Sequence, residues 1–416
     1  MKLRTLTAAA LVAGTSFVAS AQEVKFNGVL LELYYTQMMD SNLRLNSPSH
    51  SPAYNSLVAG MTENQFLVKR SEFYFGGKVS DDISWTAMFD PNNTGSTSFG
   101  SVLHDVTAIW KLNKKVTIRA GQFKFLQTYE ASSVAARDIL FYDRAQLSRV
   151  FGDRRDRGIM ATYDFGDPKG FNGKINIAVT NGMSDNGSGG KQPEVNAQKD
   201  FHFRLDFVTG QHKFGTYYRD GTLAVKDVGT VAGTGWAAGS PTTAQILDNK
   251  DRATNLGLYY FTDTPKYHVS GEIITGLLGR RYASIFAAGT NPIPAMSREH
   301  LDQKYLGYYL QGAYKMGRHW FTARYDFMNY NSGDQWYTAY NPYTHSAVGV
   351  SRGADYSPKF TEVNVGYNYV FVPSKSSAGK LKLNYVMRSK NFLQPRAGQS
   401  GEQGGDSLVA SLQVAF

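Results

Sequence analysis

Polar and apolar side chains alternate along most of the chain with a period of two residues rather than 3.6. In the segment 199–208, for example, single polar residues separate Phe201, Phe203 and Leu205. A period of two places successive side chains on opposite faces of a β-strand. The alternating segments run about ten residues, the length of a tilted strand that crosses a bilayer.

Sixteen such segments follow one another in the sequence. The predicted strands are 24–38, 63–80, 83–90, 101–112, 116–125, 156–165, 174–181, 199–208, 213–220, 251–261, 266–277, 302–315, 319–328, 358–371, 380–388 and 406–416. Tight turns, such as 113–115 and 316–318, alternate with longer connections that are mostly rich in Gly, Ser, Asn and Asp. This layout predicts an all-β fold, a 16-stranded antiparallel transmembrane β-barrel. Its short turns would be periplasmic and its long loops extracellular.

The predicted barrel must be closed, because lipid cannot form hydrogen bonds with a free strand edge. At sixteen strands the lumen is too wide for side chains to fill, and it therefore holds water. The pattern thus predicts a passive channel for small hydrophilic solutes, embedded in outer-membrane lipid. The last predicted strand ends at Phe416, which resembles the signal that the outer-membrane barrel assembly machinery reads during insertion.

The N-terminus predicts export. Lys2 and Arg4 precede an apolar stretch at 6–18, and Ala19-Ser20-Ala21 then offers an A-x-A cleavage site. We interpret residues 1–21 as a Sec signal peptide, the alternative being a buried N-terminal helix. Residues 22–416 would then form a single β-barrel domain in the outer membrane of a bacterium.

Composition removes several other classes of protein. The chain has no cysteine, which excludes disulfide scaffolds, thiolate metal sites and cysteine nucleophiles. The eight His residues show no ligand spacing, and the segment 187–191 lacks the flanking residues of a P-loop. We therefore expect no metal, no cofactor, no nucleic-acid partner and no enzyme activity. The 26 Tyr and 25 Phe residues suit the interfacial aromatic girdles of a barrel.

The third long loop, 126–153, carries the candidate chemistry. With its flanks it contains eight basic residues against five acidic ones. The basic residues are Arg119, Lys124, Arg137, Arg144, Arg149, Arg154, Arg155 and Arg157, and the acidic ones are Glu130, Asp138, Asp143, Asp153 and Asp156. Basic side chains near a constriction attract anions and replace part of their hydration shell. This charge excess makes the loop the candidate constriction and predicts an anion preference.

The same loop allows a second interpretation, in which its charges only hold it in place. Arg137 is followed by Asp138, Asp143 by Arg144, and acids and bases interleave over 153–157. Adjacent acidic and basic side chains of this kind can form ion pairs with each other. These pairs would fix the conformation of the loop without contacting a solute. The sequence leaves both interpretations open.

Strand parity gives an independent estimate of the charge in the lumen. If the apolar face contacts lipid, nine basic and eight acidic residues point inward. The basic set is Arg70, Lys111, Arg119, Arg204, Lys213, Arg219, Arg324, Lys382 and Arg388, and the acidic set is Glu32, Glu72, Asp105, Asp164, Asp206, Glu272, Asp326 and Glu362. A nearly balanced wall predicts a modest anion preference. Lys124 and Arg119 differ in parity, so both can face inward only with a bulge, which we expect at Gly121; a similar switch is expected at 27–28.

Four segments resemble the phosphate-selective porin O/P family. They are Lys69-Arg70-Ser71-Glu72, Phe89-Asp90, Gly121-Gln122-Phe123-Lys124, and Phe141-Tyr142-Asp143-Arg144 followed by 152–158. The resemblance implies that Lys124 lies at the narrow zone as an anion-binding lysine and that Lys69 and Arg70 line a basic path. It also implies that Asp90 and Arg137 lie near the site, that the protein is a homotrimer, and that phosphate or polyphosphate is transported.

Three alternatives remain beside the anion-preferring porin. A general or sugar-selective porin would use an aromatic slide of residues such as Tyr129, Phe141, Tyr142 and Tyr325. An outer-membrane enzyme would carry a catalytic set at the rim of the barrel, and an adhesin would use the eight long loops. Both of these would conduct little.

Overall fold

The alternating segments form sixteen antiparallel strands that close into one barrel. The computed structural model describes residues 23–38, 65–91, 102–182, 198–223, 251–278, 303–329, 332, 359–389 and 406–416. The proposed signal peptide and most of the long connections lie outside the described residues. The third long loop is described throughout.

The strands follow the chain order around the barrel, and β1 closes it against β16. They are β1 Glu23–Met38, β2 Gln65–Lys78, β3 Ile83–Phe89, β4 Leu103–Lys111, β5 Val116–Lys124, β6 Arg155–Gly166, β7 Asn172–Thr180, β8 Asp200–Thr209, β9 His212–Leu223, β10 Asp251–Asp263, β11 Tyr267–Leu278, β12 Gln303–Met316, β13 His319–Asn329, β14 Lys359–Val370, β15 Gly379–Arg388 and β16 Ser407–Ala415. All sixteen predicted strands are present, and the predicted fold is confirmed.

The two faces of the wall have opposite character. Apolar side chains such as Ile159 and Leu258 are exposed on the outer face, where lipid would cover them. Charged side chains of the opposite parity, such as Glu32 and Arg324, are buried inside. Most of the residues predicted to point inward from strand parity are buried in this way, among them Arg70, Arg204, Arg219, Lys382, Arg388, Glu72, Glu272, Asp326 and Glu362.

The seam between the first and the last strand carries its own polar contacts. The backbone N–H of Val29 donates to the carbonyl oxygen of Phe416 over 2.8 Å. Inside the barrel the Glu32 carboxylate of β1 accepts hydrogen bonds from Lys382 of β15 at 2.9 Å and from Ser411 of β16 at 3.0 Å. The Arg70 guanidinium of β2 donates to the same carboxylate. Glu32 therefore connects four strands across the seam.

Two irregularities in β1 and β2 change the direction of side chains. The register shifts between Phe26 and Gly28, where the sequence predicted a switch, and Gly28 has a positive φ of 132°. A second shift leaves Lys69 as the extra residue of β2, because Glu32 pairs with Arg70 while Leu33 pairs with Val68. This second bulge was not predicted.

The bulge expected at Gly121 is absent from the register. β5 pairs without a shift with both β4 and β6 across this position. Gly121 instead takes a positive φ of 129°, and a Cβ there would lie 2.1 Å from the carbonyl oxygen of Val106. The backbone of β5 therefore distorts at the glycine without inserting a residue.

We expect Gly28→Ala to impair closure of the barrel. A Cβ at this position would lie 2.1 Å from the carbonyl oxygen of Phe416, and φ is in the region that favours glycine. The yield of folded protein after refolding into detergent, measured by electrophoretic mobility without heating, should fall severalfold. Gly210→Ala is the matched control, because Gly210 also has a positive φ but no atom within 4 Å of a Cβ. Equal yields for the two variants would contradict the steric argument.

Candidate functional site

The segment between β5 and β6 lies inside the barrel rather than above it. It contains a helix, α1, at Tyr129–Ser133, a 3₁₀ turn at Ala136–Asp138 and a π-helical turn at Ser148–Gly152. Most of its side chains from Phe125 to Gly152 are buried, and they contact inward-facing side chains of the wall. No helix among the described residues has the length and hydropathy that a membrane span requires. We call residues 125–154 the inner loop.

Aromatic side chains seat the inner loop on the wall. The Tyr129 ring stacks on Tyr259 of β10 with centroids 4.2 Å apart, and Phe151 stacks on Tyr305 of β12 at 4.0 Å. The Phe141 ring lies under the guanidinium of Arg324 at 4.7 Å. These contacts bury apolar area that would otherwise face the aqueous lumen. They place the loop against the inner faces of β10 to β13.

Basic and amide side chains of the wall bind carbonyl oxygens of the inner loop. Lys382 donates to the carbonyl of Phe141 at 3.2 Å, and Arg324 donates to that of Asp143 at 2.9 Å. Further donors are Asn368 to Leu140 at 2.7 Å, Lys380 to Arg137 at 3.1 Å and Gln413 to Arg137 at 2.8 Å. Irregular backbone needs such partners because a buried carbonyl without one is costly. Much of the basic charge on the wall therefore holds the loop.

Acidic side chains of the wall bind N–H groups of the same loop. The Glu272 carboxylate accepts hydrogen bonds from the backbone N–H of Tyr129 at 2.7 Å and of Glu130 at 3.4 Å. Thr128, the N-cap residue of α1, makes no side-chain cap, so Glu272 of β11 serves in its place. Asp326 of β13 likewise accepts from the N–H of Gln146 at 3.1 Å.

A buried ion-pair cluster lies on the wall under the loop. The Glu362 carboxylate pairs with Arg388 at 3.0 Å, with Arg324 at 3.1 Å and with Arg149 of the loop at 3.7 Å. Arg324 also pairs with Asp326 at 2.6 Å. Burial strengthens these interactions and makes the loss of one partner expensive.

Two of the predicted site residues, Lys69 and Arg70, meet at the Asp143 carboxylate. Lys69 Nζ lies 3.0 Å from one oxygen of Asp143, and Arg70 Nη2 lies 3.6 Å from the other. Consecutive strand residues normally point to opposite faces, but the bulge at Lys69 allows both to reach the loop. The Lys69 side chain remains 33% exposed, whereas Arg70 is buried.

Lys124 and Arg144 meet at a second carboxylate, that of Asp153. Lys124 Nζ lies 2.7 Å from Asp153 and also donates to the carbonyl oxygen of Ala131 at 3.1 Å. Arg144 Nε lies 3.7 Å from Asp153, and the side chain is buried. Lys124 is 21% exposed and Asp153 is 32% exposed, so this pair borders water. Asp143 and Arg144 are neighbours in sequence and thereby join the two clusters.

The remaining predicted residues lie apart from these clusters. Arg119 faces inward on β5 and is partly exposed, and its Nε is buried without a hydrogen-bond partner among the described residues. Arg137 lies in the 3₁₀ turn with an exposed side chain. Asp90, at the end of β3, accepts hydrogen bonds from the N–H and hydroxyl of Ser71 at 3.1 and 3.2 Å. Asp90 therefore ties β3 to β2.

The ion pairs differ from those that adjacent charges in the sequence suggested. Asp143 pairs with Lys69 and Arg70, while the adjacent Arg144 donates only its backbone N–H to this carboxylate. Arg149 and Arg155 also form ion pairs. Both belong to the basic charge that the sequence places in the loop region, but neither is among the predicted site residues. Arg149 reaches Glu362, and Arg155 pairs with Asp105 of β4 at 2.5 Å. Strand parity predicts that Asp105 and Glu362 face the lumen. The acidic partners of Arg155 and Arg149 could therefore be identified as inward-facing from the sequence, although the pairing itself could not.

Surrounding cations hold both loop carboxyls ionised. Burial opposes ionisation, but Lys69, Arg149 and Arg70 hold the pKa of Asp143 well below its usual range. In the same way Lys124, Arg144 and Arg155 hold the pKa of Asp153 well below its usual range, against burial. Such groups stabilise the folded state above their unfolded pKa, near 3.9, and this stabilisation is lost as the pH falls through the lower folded pKa.

We therefore expect the inner loop to stay in place from pH 7 to about pH 4 and to loosen only below that. Single-channel conductance should be constant over the first range and rise in stronger acid. Asp143→Asn should already show the raised conductance at pH 7, whereas Asp138→Asn, at an exposed position of the same loop, should not. A conductance change centred near pH 6 would show that another group controls the loop.

The geometry defines a class of protein, namely a porin: a closed sixteen-stranded barrel with a charged loop folded against its inner wall. A family model described as phosphate-selective porin O and P matches residues 58–416. The chain belongs to this family, and it is a porin of the bacterial outer membrane. The predicted family, localisation and class of function are thus confirmed. A comparison with curated proteins finds no match.

Solved structures of porins share the fold at low sequence identity. OmpT, an outer membrane protein of Vibrio cholerae in its trimer form, has a TM-score of 0.53 and 11% identity over 95% of this chain and 100% of that one. The anion-selective porin from Comamonas acidovorans has a TM-score of 0.52 and 11% identity over 95% and 100%. Salmonella typhi OmpF in complex with daunomycin has a TM-score of 0.53 and 10% identity over 95% and 98%.

Proposed function

We propose that this porin is a passive channel with a modest preference for small anions, phosphate and polyphosphate foremost. The solute would pass between the inner loop and the inner faces of β2 to β6. This side is favoured because the inner faces of β7 to β16 are largely covered, with His202, Tyr217 and Ile274 fully buried. Asp105 and Arg119, on the inner faces of β4 and β5, remain partly exposed.

One observation carries the proposal: acids of the loop region are mostly buried, and bases mostly are not. Among the five acidic residues at 126–156, Glu130, Asp143 and Asp156 are buried. Among the eight basic residues at 119–157, Arg144 and Arg149 have buried side chains and Arg157 lies on the outer face, which leaves five basic residues against two acidic ones. Water at the loop therefore meets more positive than negative charge. An anion would find this surface favourable, even though the wall as a whole is nearly neutral.

Lys124 is the proposed central residue of the anion path, with Lys69, Arg70, Arg119, Arg137 and Arg144 supplying further positive charge. Lys124 and Lys69 each keep one carboxylate partner while remaining partly exposed. A passing anion would take part of this partner's place, so binding would be weak and release fast. Conduction needs both properties. Asp90 is proposed to support the strand that carries Lys69 and Arg70.

The test is the reversal potential of the refolded mature protein in a planar bilayer across a KCl gradient, followed by titration with phosphate. We expect a reversal potential that favours chloride, and a block of the current by phosphate that Lys124→Ala weakens. Lys114→Ala, in an exposed periplasmic turn, removes the same charge away from the loop and should leave both readings unchanged. A non-selective or cation-selective channel would contradict the proposed anion preference but not the assignment of the protein as a porin.

The proposal includes a homotrimer inserted by the barrel assembly machinery. OmpT of Vibrio cholerae is described in a trimer form, which supports the same state here. Arg157 is exposed on the outer face of β6, beside Ile159, and its Nε donates to Gln122 at 3.4 Å. A polar pair on the lipid side of a barrel is costly unless a neighbouring subunit covers it. Light scattering of the purified protein should give three times the mass of one chain.

The sugar-selective alternative receives less support. Tyr129, Phe141 and Tyr142 are buried between the inner loop and the wall, and Tyr325 lies on the outer face with Tyr308. These four side chains therefore do not form a continuous slide along the lumen. The enzyme and adhesin alternatives predict little conductance, so the bilayer measurement also separates them from the channel.

A further inference from the structure

A cavity of about 430 Å³ lies below the inner loop, at the end of the barrel where the short turns are. Its lining includes Gln211 and Ser376 from two of these turns, and Leu140 from the loop. We infer that this cavity binds small organic anions that carry an aromatic or apolar group, as a second subsite on the periplasmic side of the constriction. The inference rests on the proposed channel, because the solute would reach the cavity through the pore.

Aromatic rings supply the first part of the argument. Tyr129, Phe261 and Trp320 line the cavity together with Val134 and Leu140. The Phe261 ring is half-buried, whereas Tyr129 and Trp320 are buried and only border the cavity. Rings and aliphatic side chains of this kind hold the apolar body of a ligand.

The lysine side chains that line the cavity are the second part of the argument. Lys213 Nζ lies 5.4 Å from the centre of the Phe261 ring, and no carboxylate of the described residues lies within 4.0 Å of it. Lys315 and Lys380 flank the Trp320 ring at 4.7 and 5.7 Å. A cation above an aromatic ring offers one ligand both a charge and an apolar face.

The acidic residues of the lining offset two of the three lysine charges, and Lys380 is buried and donates to the carbonyl oxygen of Arg137. Asp263 is already held by Lys315 at 2.5 Å and by His268 at 3.1 Å. Asp138 is exposed at the edge of the loop. The three lysines and two aspartates of the lining sum to one positive charge, with Lys213 available to an incoming anion.

The volume of the cavity is the third part of the argument for an organic anion. A cavity of about 430 Å³ has room for many water molecules. An inorganic oxyanion would replace only a few of them and would leave the exposed part of the Phe261 ring in contact with water. An anion with a ring or short chain attached would fill the cavity and remove both surfaces from water.

The test compares phenyl phosphate, inorganic phosphate and phenol by titration calorimetry on the refolded, full mature chain in detergent. We expect phenyl phosphate to bind about tenfold more tightly than inorganic phosphate, a ratio within reach of one ring–ring contact. Phenol should bind more weakly than phenyl phosphate, because it lacks the charge that Lys213 would contact.

Variants separate the two parts of the site. Phe261→Leu should remove the advantage of phenyl phosphate over inorganic phosphate, whereas Phe321→Leu, on the outer face, should keep it. Lys213→Gln should weaken phenyl phosphate binding severalfold, and Lys174→Gln, at an exposed position of β7, should not. Equal affinities for phenyl and inorganic phosphate, or no effect of Phe261→Leu, would overturn the inference.

Failure of this subsite is distinguishable from failure of the channel. Chloride selectivity and its dependence on Lys124 are measured in a bilayer without any organic anion. If those measurements succeed while phenyl phosphate binds no better than inorganic phosphate, the anion channel stands and the organic-anion site is rejected.

Discussion

Replacing Glu362 by glutamine is expected to destabilise the folded barrel by about 3–5 kcal/mol, the usual cost of removing one partner from a buried ion pair. Glu362 is fully buried and is shared by Arg388, Arg324 and Arg149. Glutamine keeps the shape but removes the charge, and Asp326 alone then faces three guanidinium groups. Urea unfolding of the protein in lipid vesicles, followed by tryptophan fluorescence, measures the change.

Asp164→Asn is the control for this prediction. Asp164 also pairs with a basic residue, Lys174 at 3.2 Å, but both side chains are exposed to water. Exposed pairs contribute about 0–1 kcal/mol, so this variant should unfold at nearly the same urea concentration as the unmodified protein. Similar losses for the two variants would mean that the buried cluster has no special role in holding the barrel and its loop.

The largest functional effect is expected from Lys124→Glu, which should lower the anion-to-cation permeability ratio about fivefold. At an effective dielectric constant of about 20, a unit charge acts on an ion about 10 Å away with about 1.7 kcal/mol. The substitution changes the charge by two units, and screening over a Debye length of about 8 Å leaves roughly 1 kcal/mol. The introduced carboxylate would also repel Asp153, which now accepts a hydrogen bond from Lys124 at 2.7 Å.

The reversal potential across a KCl gradient measures this ratio directly. Lys114→Glu makes the same change of charge in an exposed periplasmic turn, and it should alter the ratio far less. Raising the salt concentration should reduce the difference between the two variants, because screening grows with ionic strength. An unchanged ratio in Lys124→Glu would remove Lys124 from the anion path.

The strands could be predicted from the sequence because their determinants are local. Alternation, turn residues and segment length are all properties of neighbouring positions, and no strand end differs from its predicted position by more than three residues. The same parity identified Glu32, Glu272 and Glu362 as inward-facing, and each is buried. Bilayer geometry makes this inference strong, since a lipid-facing charge costs far more than an inward one.

The partners of the loop could not be predicted, because they are distant in sequence. Asp143 pairs with Lys69, 74 positions away, while Tyr129 donates to Glu272, 143 positions away. No feature of the neighbouring sequence favours Lys69 over the adjacent Arg144 as the partner of Asp143, because either cation could pair with this carboxylate. The bulge at Lys69 has no sequence signal either, since no glycine marks it. The predicted roles of Lys124, Arg119 and Arg137 in anion passage stay predictions.

The contacts of Glu32 bear on the order in which the barrel assembles. Its partners Lys382 and Ser411 belong to the last two strands, 350 and 379 positions further along the chain. These bonds can form only when the end of the chain has met its beginning, so they act late, on the closing step, and not on the hairpins that form first. Glu32→Gln should therefore slow the final step of folding while the earlier steps keep their rates.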